Sequence, residues 1–236
     1  MHPVTPIRAS QILMDGNTYV KRTAMQLWGE MPLLLAGALV VDLSAAFPIL
    51  LFLITGNVPL ACAVGLFTCL PAWTGYCYMV GRNAAQFKPR LGDLLGAFFH
   101  YYGRSCVLGI PLVVLLPSAL ITLPWLAGSP PLLVVTGITL QVLALLFLCL
   151  LLVHAFPLLA CFDLSLRQVW ANSLILVIRW PLVAVGLLSM AFLLTLAART
   201  IGLGTWLILP LLFAPFEVNA ALMLTKQVVG AQGQDG

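Results

Sequence analysis

Two carboxylates stand where carboxylates are costly. Glu217 lies in the middle of the apolar stretch LFAPFEVNAALMLTK, and Asp42 lies in ALVVDLSAAF. If both stretches are helices, Glu217 sits about 13–14 Å inward from Lys226 and Asp42 about 15 Å inward from Pro32, at 1.5 Å per residue. An acid at the centre of a membrane helix costs on the order of 2.5–3.5 kcal/mol on insertion scales, so each is a candidate for function. The chemistry they offer is proton carriage, because two acids in one polar cavity can share a proton. Asn219, two residues on from Glu217, adds a polar side chain on a different face of the helix. His154 in LLVHAFPLLACF and Arg179 in LVIRWPLV are candidate partners. The competing reading of the acids is structural, a polar group bonded to a neighbouring helix. For Arg179 it is an interfacial anchor, and for His154 a buried, satisfied imidazole.

The surroundings of these residues fix the solvent. The chain has 236 residues, of which 62% are hydrophobic and 8% charged, against about 25% charged in a soluble domain. So few charges cannot cover a sphere in water, so the chain reads as a multi-pass membrane protein with the lipid bilayer as its principal partner. The net charge of +4 is therefore no sign of nucleic-acid binding. The six cysteines form no CxxC pair and read as small apolar side chains. Walker A, GxSxG, HExxH and glycine-rich dinucleotide patterns are all missing. No cofactor, metal or catalytic residue is expected.

Apolar runs long enough to cross about 30 Å of hydrocarbon occur at 31–54, 58–80, 106–126, 131–152, 181–198 and 205–224. A spanning segment must satisfy its own backbone, so six helices are expected. The first 30 residues contain no apolar leader; they read as a polar cytoplasmic segment ending in a short amphipathic helix. Residues 31–226 read as one transmembrane domain and 227–236 as a flexible cytoplasmic tail. Of the eleven basic residues, ten (Arg8, Lys21, Arg22, Arg82, Lys88, Arg90, Arg104, Arg167, Arg179 and Lys226) fall on the side of the termini and long loops. Only Arg199 falls opposite. That asymmetry puts both termini in the cytoplasm.

The spans also repeat. The entries read TAMQLWGEMPLLL, GAFFHYYGRSCVLGIPL and NSLILVIRWPLVA; the returns read PAWTGYCYMVGR, PLLACFDLSLR and PFEVNAALMLTK. Pro71, Pro157 and Pro215 each precede a basic residue, Arg82, Arg167 and Lys226, by ten or eleven positions. The expected fold is all-α, with three helical hairpins each preceded by a cytoplasmic interfacial helix, such as 92–104. Asp163 is the expected N-cap of the third interfacial helix.

The stretch HAFPLLACFDLSLRQVWANSLILVIRWPLVAVGLL resembles the YesL-like family of bacterial integral membrane proteins, as do VPLACAVGLFTCLPAWTGYCYMVGRNAAQF and the six-helix layout. The resemblance implies a bacterial cytoplasmic membrane protein and at most an accessory role in carbohydrate uptake. It carries over no catalytic residue. Three functions remain open: a non-enzymatic accessory or assembly subunit contacting another membrane protein, a small proton-coupled transporter using Asp42 and Glu217, and, weaker, an intramembrane enzyme acting on a lipid. The topology itself is testable. In a cysteine-free background, Cys at Asn57 or Ser129 should label from outside intact cells and Cys at Gln86 or Gln232 should not; the opposite pattern would reverse the orientation.

Overall fold

The computed structural model describes residues 19–85, 87–128, 130–201 and 208–232. The polar leader with Arg8, the loop residues Gln86 and Ser129, the start of the sixth expected span and the last four residues lie outside that description. Every regular element among the described residues is helical: α1 (Tyr19–Gly29), α2 (Met31–Thr55), α3 (Val58–Ala84), α4 (Leu91–Thr122) running into a 3-10 helix (Leu123–Ala127), α5 (Leu132–Phe162), α6 (Leu166–Arg179), α7 (Pro181–Ile201) and α8 (Ile208–Gln232). Four of them, α2, α3, α4 with its 3-10 extension, and α5, are long and apolar enough to cross a membrane, and the bent pair α6–α7 makes a fifth. The expected sixth run is α8, whose apolar character is diluted by Glu217, Asn219 and Lys226. It continues to Gln232, so the tail expected from 227 begins as helix.

Local signals explain the breaks. After α2, Gly56 takes the left-handed conformation at φ 64°, which glycine adopts without strain, and its N–H closes on the Phe52 carbonyl. One residue later the Asn57 side chain accepts from the Leu60 N–H at 3.0 Å, with Pro59 in the first turn of α3. Between α5 and α6 the expected cap is corrected. Asp163 is the C-terminal cap of α5, at φ 50°, and Ser165 opens α6, its N–H and hydroxyl both donating to Gln168. Asp163 instead accepts from Arg104 of α4. Trp180, held out of the helical region by the following Pro181, bends α6 against α7 by 100°.

The three returning helices α3, α5 and α8 all pack against one another. Each outer helix fills a groove between two of them: α2 lies on α3 and α8, α4 on α3 and α5, and α7 on α5 and α8. The entries follow the same order. α1 packs on α8, the N-terminal half of α4 on α3, and α6 on α5. Each therefore crosses the return helix of the preceding unit, with the first unit closing on the last. The second entry departs from expectation in one respect. Residues 92–104 are helical but are not a separate element, because α4 continues unbroken to Thr122. Contacts with one neighbour hold it: Gly75 of α3 meets Leu94 and Phe98, the Ser105 hydroxyl donates to Thr74 at 2.8 Å, and Gly109 meets Leu66 and Leu70.

The core sits in the half of each return helix that follows its proline. From Pro71 to Gly81 in α3 and from Leu151 to Cys161 in α5 almost every side chain is buried. No described side chain of α8 from Leu209 to Lys226 is exposed. The outer helices instead present Leu39, Leu43, Phe47, Val114, Leu182 and Phe192 outward, as helices facing lipid do. At the basic ends, Arg82 pairs with Asp93 at 2.9 Å and joins α3 to α4.

A Cβ on Gly75 would meet the Leu94 backbone carbonyl at 2.7 Å, whereas one on Gly96 would meet nothing within 4 Å. Gly75→Ala should therefore destabilise the bundle by about 1–3 kcal/mol through overpacking. Gly96→Ala should be neutral or stabilise by about 0.5–1 kcal/mol through helix propensity. Thermal unfolding of the two variants in the same detergent checks the contrast.

Candidate functional site

Glu217 lies one turn inside the three-helix core, on α8, and is 1% exposed. It follows Pro215 by two positions, and Trp73 follows Pro71 by two on α3. The indole of Trp73 lies beside the Glu217 carboxyl group. Cys77 of α3 and Cys161 of α5, both fully buried, lie within electrostatic reach of the same carboxyl group and of each other. The second carboxyl oxygen, Oε2, is enclosed and has no hydrogen-bond partner. Trp73 is fixed by its neighbours, stacking on Phe213 of α8 at 5.9 Å and meeting Tyr76 edge-on at 6.2 Å.

The expected pairing of the two acids is not made directly. Asp42 is half-buried on α2 and faces Tyr76, with Oδ2 enclosed and unpartnered. Trp73 and Tyr76 share one face of α3 at i and i+3; Asp42 is within electrostatic reach of Tyr76, and Glu217 lies beside Trp73. Tyr76 uses its hydroxyl to donate to the Leu34 carbonyl of α2 at 3.1 Å.

Asn219 has the fullest set of contacts, and they lead to α1. Its Nδ2 donates to Thr23 at 3.0 Å and to Gln26 at 2.8 Å, while its Oδ1 has no partner. Gln26 in turn donates to the Val80 carbonyl of α3 at 3.1 Å. At the other end of α1 the Tyr19 hydroxyl donates to the Phe216 carbonyl at 2.7 Å, with the two rings edge-to-face. Burial pushes the Tyr19 phenol well above its usual range, so this donor keeps its proton at any physiological pH. α1 is thus latched across α8 on both sides of Glu217, from Phe216 to Asn219. Its other face, with Val20, Met25 and Trp28, is exposed.

His154 and Arg179 part company. His154 is fully buried on α5, two turns before Cys161 on the same face, and neither ring nitrogen has a hydrogen-bond partner. Arg179 ends α6 on the surface with its guanidinium 5.5 Å from the Trp180 ring centroid. It lies outside the polar core, in the position of an interfacial anchor. Sequence reasoning missed Trp73, Tyr19, Thr23, Gln26, Cys77 and Cys161. A signal for two of them was present in the repeat, because Trp73 and Glu217 share one offset from their prolines and Cys161 and Asn219 share another.

Among the described residues no group of three His, Cys, Asp or Glu side chains is arranged to hold a metal ion. What the arrangement can do is take up or release a proton, or accept a hydrogen-bonding group, at a carboxyl oxygen, an amide oxygen and an imidazole that lack partners. A scan of protein-family models finds no match, and searches of curated proteins and of solved structures find none at a significant level.

The Trp73–Glu217 contact can be measured by its removal. Trp73→Phe removes the indole N–H beside the Glu217 carboxyl group and should cost about 0.5–1.5 kcal/mol of stability beyond the loss of ring area. In a Glu217→Leu background the same Trp73→Phe change should lose that excess. A double-mutant cycle by thermal unfolding in detergent reads the difference.

Proposed function

We propose that this chain is a six-span protein of a bacterial cytoplasmic membrane, with both termini in the cytoplasm, that moves a small polar solute in step with a proton bound at Glu217. Six spans in three hairpins, each entered through an interfacial segment, are supported by the cyclic packing of entries, outer helices and return helices. The ten-to-one distribution of basic residues supports the orientation.

The observation that carries the functional reading is the incomplete hydrogen bonding of the core. A carboxyl group that only glued helices together would be expected to satisfy both oxygens, since a buried unpartnered oxygen costs about 1–3 kcal/mol. Here Glu217 Oε2, Asn219 Oδ1 and both His154 nitrogens remain open inside one bundle. Unpaired polar groups at this depth mark a candidate site for a proton or a polar solute. The α1 latch supplies a gate, because releasing Tyr19, Thr23 and Gln26 would uncover α8 at the level of Glu217 from the basic side.

A second reading, an accessory subunit for another membrane protein, is favoured by a different feature. An apolar groove of about 620 Å³ runs between α5 and α7, lined by residues including Leu146, Cys149, Leu188, Phe192 and Thr195. It offers a place for a helix of a partner subunit. The YesL-like resemblance, with its link to carbohydrate uptake, suits either reading and suggests sugars as the first solutes to test.

Proteoliposomes containing a trapped pH dye, challenged with a panel of neutral sugars, test the proposal. The wild-type protein should give sugar-dependent proton movement. Glu217→Gln, which keeps shape but cannot ionise, should abolish it with little change in thermal stability. Flux retained by Glu217→Gln would refute the coupling role. A wild-type protein that moves no protons but co-purifies with another membrane protein would favour the accessory reading.

A further inference from the structure

α1 has two faces, and the latch uses one of them. Tyr19, Thr23 and Gln26, spaced i, i+4 and i+7, hold α8 at Phe216 and Asn219. Val20, Ala24 and Trp28 at i, i+4 and i+8, with Lys21 and Met25 beside them, turn away from α8 and are exposed. We propose that this second face seats on the bilayer surface at the basic end, and that anionic phospholipid there holds the latch shut over Glu217. Such lipid control rests on α1 being the gate described above. Its test needs no solute flux, so it can fail without the transport reading failing, and the reverse.

Continuity, composition and level all point to the bilayer as what covers this face. α1 ends at Gly29 and α2 begins at Met31, with the Glu30 N–H donating to the Gln26 carbonyl at 3.2 Å and the Leu34 N–H to the Glu30 carbonyl at 3.0 Å. α1 therefore adjoins the outward surface of α2, where Leu35, Leu39 and Leu43 are exposed. Val20 is 63% exposed, Met25 61% and Trp28 84%. Apolar side chains with a tryptophan on an amphipathic helix belong at headgroup depth. Gln26 donates to the Val80 carbonyl, two residues before Arg82 at the basic end of α3. That bond holds α1 at the level where the span ends.

Lys21 supplies the charge. It is exposed among the apolar side chains of the outward face, from where a lysine stem can lie along the lipid and its ammonium reach phosphate oxygens. Glu30, exposed at the junction with α2, opposes it in part. The start of α4 repeats the pattern at the same end, with Leu91, Leu95 and Phe99 exposed in a stripe beside exposed Lys88 and Arg90. A helix of 11 residues has little stability by itself in water, so α1 keeps its shape only while its faces are covered. With one face on α8 and the other on lipid, both are satisfied in a single position. Without the lipid contact the latch must hold α1 unaided.

Hydrogen-exchange mass spectrometry of the full chain, in nanodiscs of phosphatidylcholine alone or mixed with phosphatidylglycerol, tests this. Exchange in residues 19–29, and in the stretch 216–220 of α8 that they cover, should be about fivefold slower in the anionic discs, the scale of one lysine near an anionic surface. Lys21→Gln should remove the difference, Lys21→Arg should keep it, and Glu30→Gln should enlarge it. Phosphatidylserine should serve as well as phosphatidylglycerol, and added salt should weaken the effect, because the face reads charge and not one headgroup. Equal exchange in neutral and anionic discs, or an unchanged difference in Lys21→Gln, would overturn the proposal. So would protection of 19–29 without 216–220, which would make α1 a lipid contact with no bearing on the latch, and so would an effect confined to one anionic headgroup.

Discussion

Hydrocarbon offers no hydrogen-bond partner, and the whole arrangement follows from where that leaves the polar groups. Each outer helix can afford to face lipid because its backbone is satisfied internally and its outward side chains are apolar. The side chains that cannot face lipid collect on α3, α5 and α8, in the halves that follow Pro71, Pro157 and Pro215. A proline ring in a helix also leaves the carbonyl four residues back without its usual donor. The inner helices therefore concentrate polarity in both backbone and side chain, and they need one another as shelter. Burial of Glu217, Asn219 and His154 is a condition of the fold before it is a feature of any activity.

The same constraint explains why the core is held from outside by α1. α8 carries Glu217 and Asn219 within its buried half, and Tyr19, Thr23 and Gln26 engage its Phe216 carbonyl and Asn219 amide. The equivalent crossings on α3 and α5 are made by other means. On α3 a close backbone approach at Gly75 is joined by the Ser105–Thr74 hydrogen bond and the Arg82–Asp93 ion pair. On α5 it is apolar packing of Leu151 with Val177 and of Leu158 with Leu176. One packing plan is thus carried out with three kinds of chemistry.

Much of this was legible in the residues. The break between the apolar runs at 31–54 and 58–80 falls where the chain turns, at Gly56 after α2 and Asn57 before α3. The cost argument placed Glu217 inside the bundle, and it is buried. What could not be read was which polar groups meet. Asp42 and Glu217 lie at similar depth by residue count, yet depth says nothing about rotation around a helix axis. Asp163 was misassigned because one short acidic side chain can end a helix in a left-handed turn or begin the next one. Ser165, two residues later with Gln168 three beyond it, is the better capping sequence. The continuity of α4 escaped because an amphipathic stretch followed by an apolar one looks the same whether or not the chain bends between them.

The latch joins residues almost at opposite ends of the described chain: Tyr19 and Phe216 are 197 positions apart. At synthesis rates of about 5–20 residues per second, α1 would be made roughly 10–40 s before its partner helix exists. During that interval α1 has only its amphipathic face and the membrane surface. The ring of three units closes only when α8 arrives, carrying the residues least suited to lipid. The last helix to be made is therefore the one that the earlier five spans and the waiting first helix are shaped to receive, so a ribosome stalled before α8 would leave a bundle with an unfilled centre.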